Sequence, residues 1–191
     1  ADNIRSKMVS FASCQAILAL FLIAGIIEVK FIKVFLGVNP GEIIGLFPII
    51  IASFAILAPI CILMGFMFPL GCSIYASDRN EGARWIGGVY IFEAVGSIIG
   101  GIVTSFILIR SFNALHIVAM FALLNILAAF LLSLSTDNKK TKLIFGSIML
   151  FLIAGIASAW FSGSFEKMEK YSLKKQWQGY EVLDSKNSIY G

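Results

Sequence analysis

The longest stretch without a charged residue runs from Ile43 to Ser77, where no Asp, Glu, Lys or Arg interrupts the apolar sequence. A helix of roughly 20 apolar residues crosses the ~30 Å hydrocarbon core of a bilayer, so this run is longer than one untilted crossing requires. Pro48, Pro59 and Pro69 punctuate it, and membrane helices tolerate proline because neighbouring groups satisfy the freed carbonyls. The run therefore predicts a kinked membrane-spanning helix at about 44–68.

Further apolar runs of similar character fill most of the remaining chain. Only 14% of the residues are charged and the mean hydropathy is +0.90, whereas a soluble domain carries roughly a quarter charged residues. We therefore expect an all-α, polytopic transmembrane helix bundle of about five helices over residues 1–161, in the plasma (inner) membrane. The predicted spans are 8–29, 44–68, 87–109, 114–134 and 143–161.

The basic residues are concentrated in short loops and in the tail, and they give the chain a net charge of +4. Lysine and arginine at these places face anionic headgroups or set the orientation of the helices. The lipid bilayer is thus an expected partner, and no nucleic-acid site is predicted. Because the positive charges divide evenly between the two sides of the predicted bundle, they leave its orientation open.

The character of the sequence changes after residue 161. Residues 162–178 are rich in Glu and Lys, and Glu166 and Lys170 have the spacing of a helical i,i+4 ion pair. This segment predicts a charged linker or a short surface helix. Residues 179–191 alternate incompletely between polar and apolar, a pattern compatible with the start of a strand.

Glu93 is the one acid placed well inside a predicted span, since Glu28 lies at the very end of the span at 8–29. A carboxylate in the hydrocarbon region is costly, which makes it a candidate functional residue. Two interpretations stay open: a structural ion pair or hydrogen bond, with Arg79 or Arg84 as the partner, and a substrate or proton site. Tyr90 lies on the same helix face, so Glu93 and Tyr90 are the candidate substrate-binding residues.

The same predicted helix carries small residues at packing distance. Gly96 with Gly100, and Ser97 with Gly101, form two small-xxx-small pairs, which predict close approach of another helix. His116, the only histidine, has no partners at metal-ligand spacing and is expected to make an interfacial hydrogen bond. No catalytic residue and no metal site is predicted.

Two segments in the apolar part share a family pattern, and the tail adds a third. The first reads Gly65-Phe-Met-Phe-Pro-Leu-Gly71, with Phe68 and Pro69 inside it, and the second reads Gly88-Val-Tyr-Ile-Phe-Glu-Ala-Val-Gly-Ser-Ile-Ile-Gly100. The third runs from Gly179 to Tyr190-Gly191. Together they resemble membrane-bound spermidine synthase-like proteins, in which a helix ending Gly-x-x-Phe-Pro-Leu precedes one reading Tyr-x-x-Asp-x-x-Gly-Ala-x-x-Gly. Glu93 stands here in place of the usual Asp.

The resemblance implies a membrane domain that tethers an aminopropyltransferase-type α/β domain, whose first strand would be 179–191. Decarboxylated S-adenosylmethionine would be the substrate of that further domain, and a polyamine or lipid-soluble substrate would pass between the helices. This chain alone is not expected to be an enzyme, although the full-length protein is. Its own C-terminal domain and a second copy of the chain are the expected protein partners. The alternatives are a fragment of a multi-pass transporter, with the kinked helices lining a pathway, and a purely structural anchor.

Overall fold

The computed structural model describes residues 2–76, 82–134 and 139–180, and within these ranges it consists of helices joined by turns and short loops. The third long helix does not end at Val103 but continues through one π-helical turn, Thr104–Leu108, into a single α-helical turn. The helices are α1 (Asp2–Phe35), α2 (Leu46–Ala76), α3 (Gly82–Val103), α4 (Ile109–Ser111), α5 (Ala114–Leu134), α6 (Lys139–Phe161) and α7 (Ser164–Gln176).

Four of the helical segments are long and apolar enough to cross a membrane, judged by length and composition. They are Leu46–Ala76, Ile86–Ser111, Ala114–Leu134 and Lys142–Phe161. An all-helical fold with four candidate membrane-spanning segments is therefore confirmed for the described residues. The predicted span at 8–29 lies within the long helix α1, which is not one of these four, so the count of about five stays a prediction.

Helix α1 lies at the centre of the arrangement. It packs against α5 on one side and α2 on the other, while α6 packs on α5 and α3 packs on α2. The long helices thus follow one another in a row, α3–α2–α1–α5–α6. Helix α7 crosses one end of this row and contacts α1, α5 and α6.

The core of the row is built from alanines on α1 and α5. Ala12, Ala16 and Ala19 are buried at helical spacing on α1. They pack in one cluster with Ala122, Ile126 and Ala129, which have the same spacing on α5, and with Met149 of α6. Small side chains let two helix backbones approach closely, which is how helices associate where lipid tails remove the usual hydrophobic driving force. The closest packing of the fold therefore lies between α1 and α5.

The second helix is longer than predicted. Its expected end near residue 68 is wrong, since α2 continues through Pro59 and Pro69 to Ala76. Pro48 lies in its first turn, where the missing N–H would have had no partner in any case. The extension places Ser73 beside α1, and Lys7 Nζ donates a hydrogen bond of 2.6 Å to its hydroxyl.

The charged segment after residue 161 contains the helix α7. Gly163, with φ of 66°, turns the chain sharply between α6 and α7, and a left-handed conformation of this kind favours glycine. After α7 the chain makes a turn in which the Tyr180 amide donates to the carbonyl of Trp177 at 3.0 Å. The remainder of the predicted strand, including Tyr190 and Gly191, lies outside the described residues.

Candidate functional site

A groove runs along the junction of α1, α2 and α3. Its volume is about 410 Å³. Among the residues that line it, only one is titratable, and the others are apolar or glycine: Phe11, Leu18, Met64, Met67, Phe68, Gly71, Val89, Phe92 and Glu93. The groove therefore combines an apolar wall with a single carboxylate, the general pattern of a small-molecule site with one orienting polar group.

Two local features of the sequence shape this groove. Gly71 lies against Phe11 of α1, and a Cβ added at this position would stand 3.3 Å from the Phe11 ring. Glycine at this position thus lets the aromatic ring reach the wall of the groove. On the other side, the rings of Phe68 and Tyr90 meet with centroids 4.6 Å apart, which joins α2 to α3.

Glu93 is exposed on α3 and lines the groove. Within the part of the chain that the structure describes, its carboxylate has no ion pair or hydrogen bond to a protein group. The predicted pairing with Arg79 or Arg84 lies outside the residues whose side chains are described. Its position leaves the carboxylate open to a ligand that enters from the apolar side.

Tyr90, the second candidate, is one turn away from Glu93 but does not line the groove itself. Its ring is 57% exposed and touches the groove only through Phe68. Tyr90 is therefore placed to position the wall of the groove rather than to fill it.

The small-residue face of α3 lies open. A Cβ added at Gly96, Gly100 or Gly101 would meet no atom within 4 Å, and Ser97 is exposed. Among the described helices, α3 has its main contact with α2, and that contact does not involve these glycines. The close helix packing predicted for Gly96, Ser97, Gly100 and Gly101 thus has no partner among the described residues and stays a prediction.

A second polar cluster, which we call the His116 cluster, joins the start of α5 to the end of α6 and the start of α7. Nε2 of His116 lies 3.3 Å from Oε1 of Glu166, and its ring stands edge-on to Trp160 at 4.6 Å and to Phe165 at 5.3 Å. Glu166 thus faces His116, and the ion pair predicted with Lys170 is not formed. No group of three His, Cys, Asp or Glu side chains lies close enough to hold a metal among the described residues.

A third contact fastens α7 to α1. The Lys30 ammonium forms an ion pair with Glu169, and Gln176 Nε2 donates to the Lys30 carbonyl oxygen at 2.6 Å. The rings of Phe31 and Tyr171 lie 6.0 Å apart beside this pair. Ser172, on the same face of α7, is almost completely buried.

The sequence contains only a weak signal for these two contacts at the end of the row. Phe165, Glu169, Ser172 and Gln176 repeat at intervals of three and four residues, which marks one face of a helix. Their partners on α1 and α5 are far away in sequence, so the pattern identifies a face without showing what it touches. For Glu166, the nearby Lys170 is the natural local partner, and the tertiary contact with His116 replaces it.

Compared with models of known protein families, with curated proteins and with solved structures, the chain has no match. The groove thus has to be interpreted from its own chemistry. An acid in an apolar, membrane-level wall attracts a cation, and the surrounding methionines and aromatic rings favour a ligand with an apolar portion. Glu93 is the one titratable side chain that lines the groove.

Proposed function

We propose that this chain is the membrane domain of a spermidine synthase-like protein, and that its groove binds the cationic end of a polyamine or of a lipid-soluble amine at Glu93. The observation that carries the proposal is a convergence. The two apolar segments that resemble the family meet in one groove, since Phe68 and Gly71 come from the first and Val89, Phe92 and Glu93 from the second. Segments with only a packing role have no need to share a cavity.

The charge at the groove supports an amine as the ligand. Glu93 is the one carboxylate that lines it, and a carboxylate binds an ammonium group through a charge-assisted hydrogen bond. The methionine and aromatic lining suits the methylene chain that polyamines and alkylamines share. Such a ligand would neutralise Glu93 and reduce the cost of keeping this acid at membrane level.

In this proposal α1 is the fifth membrane span, over residues 8–29, and the domain lies in the plasma (inner) membrane. Helix α7 and the tail connect it to an aminopropyltransferase-type domain that uses decarboxylated S-adenosylmethionine. The connection rests on the resemblance of residues 179–191 alone. A transporter fragment is the second candidate, but no described cavity joins the two ends of the row in a way that favours it.

The test of the amine site is equilibrium binding of radiolabelled spermidine, and separately of dodecylamine, to the full-length protein in zwitterionic lipid nanodiscs. We expect Glu93→Gln to weaken binding by about tenfold or more, because a hydrogen bond to a charged group contributes roughly 1.5–3 kcal/mol. Glu28→Gln is the matched control, since Glu28 is an exposed acid of α1 that does not line the groove.

Three results are informative about the ligand. If Glu93→Gln loses binding of both probes while Glu28→Gln binds them as the unmodified protein does, the amine site is supported. If the unmodified protein binds dodecylamine more tightly than spermidine, the substrate is a lipid-soluble amine. Equal binding by the unmodified protein and Glu93→Gln would overturn the proposal.

The tethering part is tested separately. The purified full-length protein is assayed for aminopropyl transfer from decarboxylated S-adenosylmethionine to putrescine. Product formation supports a membrane-tethered transferase. No product from a folded protein that still binds the nucleoside indicates a diverged protein, whose substrate is then to be sought in the groove.

A further inference from the structure

A second cleft lies at the opposite end of α1 from Lys7, between the last turn of α1 and the last turn of α7. Its volume is about 310 Å³. Two lysines from different helices, Lys33 and Lys175, line it together with three amide-bearing residues, Asn39, Gln176 and Gln178. No acid is among its lining residues.

Two described acids of neighbouring segments, Glu42 and Glu169, have partners of their own. Glu169 forms its ion pair with Lys30, and Glu42 accepts hydrogen bonds from the backbone and side-chain amides of Asn39 at 3.2 Å. Lys33 and Lys175 have no ion pair or hydrogen bond among the described residues. Both ammonium groups are therefore available to a ligand.

The two helix ends reduce this positive charge without cancelling it. A helix C-terminus acts as roughly −0.5 elementary charge, and α1 and α7 both end at the cleft, so together they contribute about −1. The two lysines contribute +2. The side chains that line the cleft thus remain net positive, which suits an anionic group.

The surroundings indicate that the cleft lies at headgroup level. The apolar part of α1 ends just before Lys30, and Lys33 lies less than one turn further along the helix. Tyr171, Trp177 and Tyr180 are exposed at the same end of the fold, and tyrosine and tryptophan gather at the interface between lipid and water. Basic pockets between helices at this depth bind lipid headgroups.

We propose that this cleft binds the phosphate of an anionic phospholipid headgroup, with Lys33 and Lys175 as the charged ligands and Gln178 as a hydrogen-bond donor. The proposal does not rest on the amine site at Glu93. It makes the contact between α1 and α7 a lipid-dependent one, because one headgroup would bridge the two helices.

Helix α7 offers a matched control on its other face. Lys167, Lys170 and Lys174 are exposed and do not line the cleft. They attract anionic membranes in general but contribute no side chain to the cleft. Lys167→Gln with Lys174→Gln therefore removes the same charge as Lys33→Gln with Lys175→Gln, but outside the cleft.

The experiment measures lipid bound to the purified chain by native mass spectrometry, with dioleoylphosphatidylglycerol and dioleoylphosphatidylcholine as probes and inorganic phosphate as a third. We expect one tightly held phosphatidylglycerol. The cleft double variant should lose it by about tenfold, and the outer-face double variant by about threefold or less. Lys175→Gln alone, at an exposed side chain, is a milder variant that should lose about threefold.

The melting temperature in phosphatidylcholine should be the same for all variants, which separates lipid binding from folding. Equal losses in the two double variants would overturn the proposal in favour of diffuse surface attraction. If inorganic phosphate binds as tightly as phosphatidylglycerol, the cleft recognises free phosphate, and the proposal of a lipid ligand is overturned. If the cleft double variant still binds phosphatidylglycerol as tightly as the unmodified protein, the lipid binds elsewhere and the proposal is wrong.

Discussion

The two sides of the helix row differ in what their helices touch. On one side, α1, α5 and α6 bury a continuous set of small and medium side chains. On the other side, α2 and α3 keep most of their large apolar side chains exposed, as Phe54 at 75% and Ile98 at 62% illustrate. Helix α5 on the packed side is about as apolar as α2 on the open side, so hydrophobicity alone does not decide which helices pack tightly.

The difference teaches that matching sets of small side chains on two helices, as on α1 and α5, allow close contact, whereas a small-residue face on one helix, as on α3, is not enough. Lipid tails are as apolar as leucine, so a large exposed side chain gains little from moving into a helix interface, whereas alanine lets two backbones come close enough for extensive van der Waals contact. Where α1, α2 and α3 meet, the larger side chains leave the groove that Glu93 lines.

The sharpest test of the comparison removes a core side chain. Ile126→Ala should lower the free energy of unfolding by about 2–4 kcal/mol, because the surrounding helices relax only partly around the cavity. Ile126 is fully buried. The measurement is unfolding in mixed micelles with increasing SDS, followed by circular dichroism.

Ile98→Ala is the control on the open side, where the same deletion should change the free energy of unfolding by less than about 0.5 kcal/mol. Similar costs at Ile98 and Ile126 would show that α3 is packed as tightly as α5 and would remove the contrast between the two sides.

A smaller effect is expected from the opposite change in volume. Ala122→Leu places a larger side chain where α5 meets α1, at a fully buried position, and should cost about 1–3 kcal/mol by overpacking. Ala94→Leu makes the same change at an exposed position of α3 and should be close to neutral. Melting temperatures in one detergent provide the comparison, and a destabilised Ala94→Leu variant would reveal an undetected partner for α3.

The smallest effect concerns α7, which belongs to the packed side. Glu169→Gln should weaken the docking of α7 by about 1–2 kcal/mol, since it removes a partly buried ion pair with Lys30. Glu166 is half exposed, so Glu166→Gln should cost less than about 1 kcal/mol. Hydrogen exchange of the α7 amides measures both, and the reverse order would show that His116 rather than Lys30 holds the helix.

The apolar runs were enough to predict most of the helices, because a charge-free run of 20 residues has few structures available other than a helix. The run at 114–134 coincides with α5. The end of α2 was mispredicted near residue 68 because the charge-free run is longer than one crossing requires, so hydropathy alone does not mark where the helix ends. In the fold, α2 accommodates Pro69 and continues to Ala76.

The candidate site was predictable only in part. Glu93 was recognisable from sequence because an acid inside an apolar run is rare. The groove was not, since it requires Phe11 of α1 to meet Met67 and Phe92 from other helices. Tyr90 was grouped with Glu93 by helical spacing, but its ring packs on Phe68 outside the groove.

By itself, the sequence determined that this protein is helical, where its apolar segments lie and that one acid stands among them, because hydropathy and helix length act locally along the chain. Only the tertiary structure decided which helices are neighbours. It also decided that Glu166 faces His116 rather than Lys170, and that Lys33 and Lys175 share a cleft. These contacts join residues far apart in sequence, and their energy depends on the distance between side chains that no local pattern specifies.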